Sequence, residues 1–214
     1  MRFACLNTVA PGPSLAEQCA AIAQTGCAGV ETIVFPTTHL EAWQREVRTA
    51  TTNAGLEVAV VIVGGLALHR EGQMPYVREA AHAIHELGAA MLLTPEYAAQ
   101  DPLPLFPPFP APHADERTRV HAAMREIGAL ATALNLRVLI EPITHFESRL
   151  CRSVADALAL CDVADSLMVK AALDTHNMNI TEANIGASIC VAGAHIGHVH
   201  LADSNRLLDR KSVV

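Results

Sequence analysis

The sequence is poor in basic residues and has no cluster of them. Its 214 residues include 15 Lys plus Arg against 22 Asp plus Glu, which gives a formal net charge of -7. An acidic chain without a basic patch has no electrostatic attraction to phosphate backbones or to anionic lipid heads. We therefore expect no nucleic-acid partner and no membrane partner, and we expect a small molecule as the ligand.

Long apolar runs and paired cysteines are also absent. The longest apolar run, residues 58–68, contains two glycines and is too short to cross a bilayer. The first residues reach Pro and Gly before an apolar signal segment could form. The six cysteines include no Cys-x-x-Cys pair, so neither a disulfide framework nor a structural zinc site is indicated. These features predict a cytoplasmic protein, and the apolar fraction of 51% predicts a folded one.

A repeated unit organises the chain. It consists of an amphipathic helix, a Gly or Asn that ends the helix, and a short apolar run rich in β-branched residues. In the first unit, Ser14 and Glu17 form a capping box and Gly26 ends the helix. We predict six helices, over about 14–26, 39–53, 76–88, 115–134, 153–163 and up to 191. Seven predicted strands alternate with them, at 2–7, 29–34, 57–63, 89–96, 136–142, 167–175 and 198–203.

This alternation predicts the α/β class. The strands are too apolar to have one wet face, so they belong in a parallel sheet covered by helices. An open doubly wound sheet and a (β/α) barrel both fit the alternation. The first strand-to-helix turn has no GxGxxG sequence, which favours the barrel. The proline-rich segment 101–113 is predicted to be a stiff loop, either an ordinary surface loop or a lid or subunit contact.

Chemically active side chains lie at the ends of three late strands: Glu141, Asp174 and His200. In a barrel, side chains from different strands meet at the C-terminal rim. Two carboxylates and an imidazole suit a divalent cation such as Mg, Mn, Co or Zn. Each residue alone would more simply be a loop ion pair or a helix cap, but together they favour a metal site. We expect His198, two residues before His200, to point away from this site and not to bind the same ion.

Glu147 and Arg206 each lie six residues beyond a predicted ligand on the same rim. A second carboxylate near a metal can bind substrate hydroxyls, and a guanidinium can bind hydroxyl, carboxylate or phosphate oxygens. The alternative is that the two side chains pair with each other or with surface charges.

Three segments, EPITHFE, LDTHNMNI and GHVHLADSNR, resemble motifs of a known family. They are similar to those of the xylose isomerase-like TIM barrels, a group that includes ketose 3-epimerases, hydroxypyruvate isomerases and inosose dehydratases. The resemblance implies a (β/α)8-type TIM barrel. It also implies a divalent-metal-dependent isomerase or epimerase of a small sugar or hydroxy-keto acid, acting by proton abstraction next to a carbonyl through a metal-stabilised enediolate.

The resemblance implies roles for particular residues. Glu141, Asp174 and His200 would bind the divalent metal, which is Mn, Co, Mg or Zn, and Glu141 would also be the catalytic base. Glu147 and Arg206 would contact the substrate.

The sequence also departs from the family pattern. The family usually has a His three residues after the metal-binding Asp, but here Asn177 holds that place and His176 precedes it. Both become substrate-binding candidates. The substrate class is therefore expected to differ. Thr144 and His145 stand where the epimerases usually have Asn and Arg, so the sugar contacts that the family makes there are not carried over to this chain.

The family has one more βα unit than this chain. We therefore expect residues 1–214 to form a single barrel domain that is incomplete, with about seven strands, and that lacks the last βα unit. The missing unit carries the Glu that serves the family as fourth ligand and second acid/base group. Glu31 and Glu96 could replace it only if the rim rearranges, and they are more simply ordinary rim carboxylates. Unpaired edge strands predict self-association into a homo-oligomer.

Two alternative functions stay open. A truncated, catalytically incompetent remnant would bind metal or a polyol without turnover. A DNA-repair metallo-endonuclease shares the barrel, but it needs more His ligands, has a ligand His where this chain has Asn177, and suits an acidic chain poorly.

Overall fold

Seven strands and seven α-helices make up the part of the chain that the computed structural model describes, residues 2–97 and 103–204. The strands are β1 (Ala4–Leu6), β2 (Gly29–Val34), β3 (Glu57–Val63), β4 (Ala90–Leu93), β5 (Val138–Ile140), β6 (Val169–Asp174) and β7 (Ile196–His200). The helices are α1 (Leu15–Gln24), α2 (Leu40–Ala54), α3 (Gln73–Glu86), α4 (Ala114–Leu134), α5 (Val154–Ala164), α6 (Thr175–Thr181) and α7 (Ile185–Ala192). The capping box predicted at the start of α1 is confirmed.

The strands form one parallel sheet in chain order, from β1 to β7. A doubly wound sheet would reverse its order at a switch point, whereas a barrel adds each strand beside the previous one. The sheet is also curled, because the Glu31 carboxylate on β2 lies 2.6 Å from a ring nitrogen of His198 on β7. The predicted α/β fold, an incomplete TIM-type barrel of seven strands, is confirmed for the described residues.

The prediction of one helix before the last strand was wrong, because this region contains both α6 and α7. The chain leaves α6 at Glu182, whose backbone is extended, and Asn184 then accepts a hydrogen bond from Ala187 N at the start of α7. The Glu182 carboxylate accepts from Val154 N at 2.8 Å and from Ser188 Oγ at 2.6 Å. Asn favours N-caps over helix interiors, so these bonds fix the break between the two helices.

Apolar side chains cover both faces of the sheet. On the outer face, Met91, Ile140 and Leu173 are fully buried against the helices. The inner layer, inside the barrel, is smaller and consists of Val60, Ala90, Leu92, Leu139 and Ala172. The alternation of Leu139 and Ile140 between the two layers is the period of two expected of a strand. The same alternation decides which polar side chains enter the barrel.

A cavity of about 230 Å³ lies toward the amino ends of the strands. Small residues such as Gly29, Ala90 and Gly197 line it, together with His198. The inner apolar layer therefore lies between this cavity and the C-terminal rim.

The outer face of β7 is only partly covered. Val199 and Leu201, which alternate with the inward-facing histidines, are 43% and 70% exposed. The expected self-association remains a prediction. No helix in the described ranges has the length and apolarity needed to cross a membrane.

The proline-rich loop has no helix or strand between residue 103 and the start of α4. Its residues 101 and 102 lie outside the described residues. Leu105 and Phe106 are 66% and 78% exposed, whereas the Phe109 ring lies 4.2 Å from the His145 ring in the loop after β5. The loop thus contacts the C-terminal rim through Phe109. Its role as a lid or as a subunit contact remains a prediction.

Candidate active site

Strand alternation places two carboxylates and an imidazole at the mouth of the barrel. Leu139 belongs to the inner layer, so Glu141, two residues later, is directed to the same side at the rim. Ala172 and Asp174 repeat this arrangement at the end of β6. The register of β6 and β7 pairs Asp174 with His200. The three polar groups therefore lie directly above the inner apolar layer.

Glu141, Asp174 and His200 form one cluster. His200 Nδ1 lies 2.6 Å from Glu141 Oε1 and 4.0 Å from Asp174 Oδ2. One possible ligand atom from each residue lies within 4.8 Å of the others. Glu141 and Asp174 are buried, at 8% and 4% exposed, so bulk water screens their charges only weakly. The structure thus brings together the three residues predicted to bind metal, and their role as ligands remains a prediction.

Glu31 approaches His200 from the other side of the ring. Its Oε2 lies 3.1 Å from His200 Nε2, and its Oε1 lies 2.6 Å from His198 Nε2. Burial raises the pKa of Glu31, but hydrogen bonds from the two imidazoles lower it overall to about 2. Burial lowers the pKa of His200, but hydrogen bonds to Glu141 and Glu31 raise it overall to about 10. Without a bound cation, His200 is therefore an imidazolium between two carboxylates at neutral pH.

The expectation that His198 points away from His200 was wrong. Residues two apart in a strand lie on the same face, and the two ring centroids are 5.1 Å apart inside the barrel. Glu31 is likewise not an ordinary rim carboxylate, because both its oxygens contact these rings. The sequence carried a usable signal: one Glu within the apolar strand GVETIV must be buried, and a buried carboxylate needs partners.

Asp174 is both a cluster member and the N-cap of α6. Its Oδ1 accepts hydrogen bonds from His176 N at 2.7 Å and from Asn177 N at 3.1 Å. The Asn177 side chain donates to Pro142 O at 3.4 Å, and His176 Nδ1 lies 3.3 Å from Asp203 O. These two predicted substrate-binding residues therefore lie beside the cluster, where they join the loops after β5 and β7 to the start of α6.

Of the other two predicted substrate-binding residues, Glu147 and Arg206, the structure describes only Glu147. The half-buried Glu147 carboxylate accepts a hydrogen bond from Thr144 Oγ1 at 2.8 Å, in the loop after β5. Within the described ranges, Glu147 belongs to neither group of possible metal ligands. Arg206 lies outside the described residues. Substrate contacts by both residues remain predictions.

A second buried group of charges lies near the rim. The Arg149 guanidinium lies 2.6 Å from Glu96 and 3.1 Å from Glu116, and a ring nitrogen of His69 lies 3.7 Å from Glu96. Burial raises the pKa of Glu116, but hydrogen bonds from Arg149 and from the His113 backbone lower it overall to about 2. Glu96 precedes the proline-rich loop in the sequence and Glu116 follows it. Arg149 therefore forms ion pairs with residues at both ends of the loop.

The donor set of Glu141, Asp174 and His200 fits a divalent cation. It offers carboxylate oxygens and one imidazole nitrogen and no sulfur, which suits hard or borderline ions. The carboxylates of Glu141 and Asp174 both lie on the Nδ1 side of His200, and a positive charge, from a proton or a metal ion, would offset the repulsion between them. A second geometric group, formed by Glu31, His198 and His200, shares the same imidazole.

Comparison with known proteins decides the family. The family model described as xylose isomerase-like TIM barrel matches residues 19–212. The chain belongs to the xylose isomerase-like TIM barrel family. An L-ribulose 3-epimerase of Mesorhizobium japonicum is 35% identical over 96 residues, which is 45% of this chain and 32% of that protein. A D-psicose 3-epimerase of Ruminiclostridium cellulolyticum is 33% identical over 84 residues, which is 39% of this chain and 29% of that protein.

The solved structures show the same xylose isomerase-like fold. A crystal structure of 3-keto-D-glucoside 4-epimerase from Escherichia coli, in its apo form, has a TM-score of 0.82 at 21% identity. The match covers 96% of this chain and 80% of that one. The matched part of this xylose isomerase-like chain spans about a third of the length of the two curated relatives, at 32% and 29%. The family assignment made from the three sequence motifs is thus confirmed.

Proposed function

We propose that this chain is a divalent-metal-dependent isomerase or epimerase of a small sugar or hydroxy-keto acid. The observation that carries the proposal is the convergence of Glu141, Asp174 and His200 at the carboxyl ends of three neighbouring strands. Similarity to ketose 3-epimerases supports a ketose as the substrate class.

Proton transfer next to a carbonyl needs a base beside the carbon and stabilisation of the negative charge that develops on oxygen. Glu141 suits the role of the base, because its carboxylate is buried at the rim, where bulk water screens its charge only weakly. The abstracted proton would be held on Glu141 and returned by it to the neighbouring carbon, which completes an isomerisation. An epimerisation would need a second acid on the opposite face of the substrate. A divalent cation bound by Glu141, Asp174 and His200 would supply Lewis-acid stabilisation of the oxygen charge.

Residues around the cluster would orient the substrate. Asn177 and His176 flank Asp174, and Glu147 lies in the loop that follows Glu141. Their amide, imidazole and carboxylate groups suit the hydroxyls of a polyol, which both donate and accept hydrogen bonds. With Arg206, they are the residues that we expect to determine which sugar or keto acid binds.

One titration tests both metal binding and catalysis. The chain is stripped with EDTA and then supplied with Mn²⁺ or Co²⁺, while melting temperature and turnover of D-psicose, L-ribulose and hydroxypyruvate are measured. We expect the melting temperature to rise, since a ligand at 100 times its Kd adds about 2.7 kcal/mol to stability. We also expect cation-dependent turnover of at least one of these compounds.

Two variants sharpen this test. Glu141→Gln keeps the side-chain volume but removes the base, so kcat should fall by about 10²–10⁴-fold. Glu46→Gln changes an exposed glutamate on α2 and should leave both kcat and the melting temperature unchanged. A cation-dependent rise in melting temperature without turnover of any compound would contradict the proposed catalysis and favour a binding remnant.

A further inference from the structure

Glu31 crosses the barrel from β2 to contact two residues of β7. Its carboxylate oxygens each face one ring, with Oε1 at 2.6 Å from His198 Nε2 and Oε2 at 3.1 Å from His200 Nε2. The side chain of Glu31 is 7% exposed, and those of His198 and His200 are 23% and 19% exposed. A carboxylate that bridges two imidazoles with both oxygens in a buried site has little orientational freedom.

The contact between Glu31 and His200 determines which ring nitrogen of His200 faces Glu141 and Asp174. An ionised carboxylate only accepts hydrogen bonds, so the nitrogen that faces Glu31 must carry a proton. With Nε2 protonated, Nδ1 is the nitrogen that points at Glu141 Oε1, 2.6 Å away, and toward Asp174 Oδ2. Nδ1 is therefore the nitrogen available to a cation held by those carboxylates. Carboxylates that hydrogen-bond the second nitrogen of a ligand histidine fix its tautomer and ring orientation.

His198 lies on the far side of Glu31 from the rim. It lines the cavity at the amino ends of the strands, so it lies deeper in the barrel than His200. Its hydrogen bond to Oε1 leaves Oε2 as the oxygen directed at His200. His198 thus orients Glu31 in the way that Glu31 orients His200.

We propose that Glu31 is a positioning residue that holds His200 with Nε2 protonated and Nδ1 directed at Glu141 and Asp174, and that His198 fixes Glu31 for this role. The proposal rests on the proposed metal-dependent function, because it concerns the presentation of one ligand of that site. It assigns Glu31 no contact with substrate.

Metal affinity of the full chain provides the first test. Glu31→Gln keeps the shape but replaces one acceptor oxygen by a donor, so it cannot accept from both rings. We expect it to weaken Mn²⁺ binding, measured by calorimetry, by about 10–100-fold. Glu57→Gln, at an exposed glutamate on β3, should bind Mn²⁺ like the wild type. Unchanged Mn²⁺ affinity in a folded Glu31→Gln protein would overturn the proposal.

Variants of His198 test the role that the proposal gives to this residue. They also provide a test that does not depend on whether Glu31→Gln folds. His198→Gln retains an amide donor near the position of Nε2 and should preserve Mn²⁺ affinity, whereas His198→Ala removes the donor and should weaken it, by less than Glu31→Gln does. Equal affinities in the two variants would contradict the role assigned to His198. Binding of two Mn²⁺ ions per chain, with one lost in Glu31→Gln, would show that Glu31 is itself a ligand and would overturn the proposal.

Ring-nitrogen NMR of the metal-free chain separates this proposal from the proposed function. In the wild type we expect a His200 Nε2 proton that exchanges slowly with water, and we expect Glu31→Gln to abolish that protection. Failure of the wild type to bind Mn²⁺ would overturn the proposed function alone, and the NMR result would still decide the role of Glu31. An unchanged Nε2 proton signal in Glu31→Gln would overturn the positioning role whether or not the chain binds Mn²⁺.

Discussion

At the scale of the residue, the two oxygens of Asp174 have different surroundings, and substitution can separate them. Oδ1 caps α6, and Oδ2 faces His200. Asp174→Asn keeps a capping oxygen but loses the charge, so it should weaken Mn²⁺ binding while changing the stability of the metal-free chain by less than about 1 kcal/mol, because Asn caps as well as Asp. Asp174→Ala should cost about 1–2 kcal/mol more, as expected for a lost N-cap.

Urea unfolding and Mn²⁺ calorimetry on the same two proteins check this prediction. The wild type is the reference for both measurements. Equal stabilities for the Asn and Ala variants would show that the capping bonds contribute nothing. Wild-type Mn²⁺ affinity in Asp174→Asn would contradict the proposed role of Asp174 as a metal ligand.

The sequence predicted some of these residues and missed others for a physical reason. Glu141, Asp174 and His200 follow neighbouring strands, and the rule that strand ends meet at one rim brings them together. Glu31 lies within an early strand, and its contact with His198 depends on how far the sheet curls. Strand periodicity gives the face of a side chain but does not give the curvature of the sheet.

At the scale of the element, α4 and α5 approach so closely that only a glycine fits at one point. A Cβ on Gly128 would lie 1.8 Å from the carbonyl oxygen of Ala164, which is backbone at the end of α5. Helix propensity alone would make Gly128→Ala stabilising by about 1 kcal/mol. We expect it to destabilise the protein instead, by about 1–3 kcal/mol, because the two helices must separate.

Urea denaturation of Gly128→Ala measures this change. Ala129→Gly, at the exposed neighbouring position, is the matched control and should lose about 1 kcal/mol through propensity alone. If Gly128→Ala gains the stability that Ala129→Gly loses, α4 and α5 do not make this close contact.

The elements also show where sequence patterns stop being informative. Strand positions were predictable because each is an apolar run bounded by polar or turn residues. The division between α6 and α7 was not predictable from the sequence. It depends on hydrogen bonds that Glu182 accepts from Val154 in α5 and from Ser188 in α7.

At the scale of the whole molecule, the metal-free protein should be most stable in a mildly acidic window. Glu31 and Glu116 have pKa values near 2, below their ordinary value of 4.5, so their contributions are complete above about pH 4.5 and are lost as the pH falls toward 2. His200 has a pKa of about 10, above its ordinary 6.5, so its contribution is complete below about pH 6.5 and is lost as the pH rises through 10.

Urea midpoints of the EDTA-treated chain from pH 3 to pH 10 test this profile. We expect a maximum between about pH 4.5 and 6.5 and a fall on both sides. Mn²⁺ should reduce the alkaline loss, because a cation bound as proposed would replace the proton on His200 Nδ1. A midpoint that rises between pH 7 and pH 10 in the metal-free chain would contradict the buried imidazolium.

The chain-order arrangement of the strands also has a consequence for biosynthesis. Each strand pairs with the one made just before it, so the sheet can grow as the polypeptide leaves the ribosome. Glu31 is different, since its partners His198 and His200 lie 167 and 169 positions later. The buried carboxylate on β2 therefore stays without these two partners until almost the entire described barrel has been synthesised.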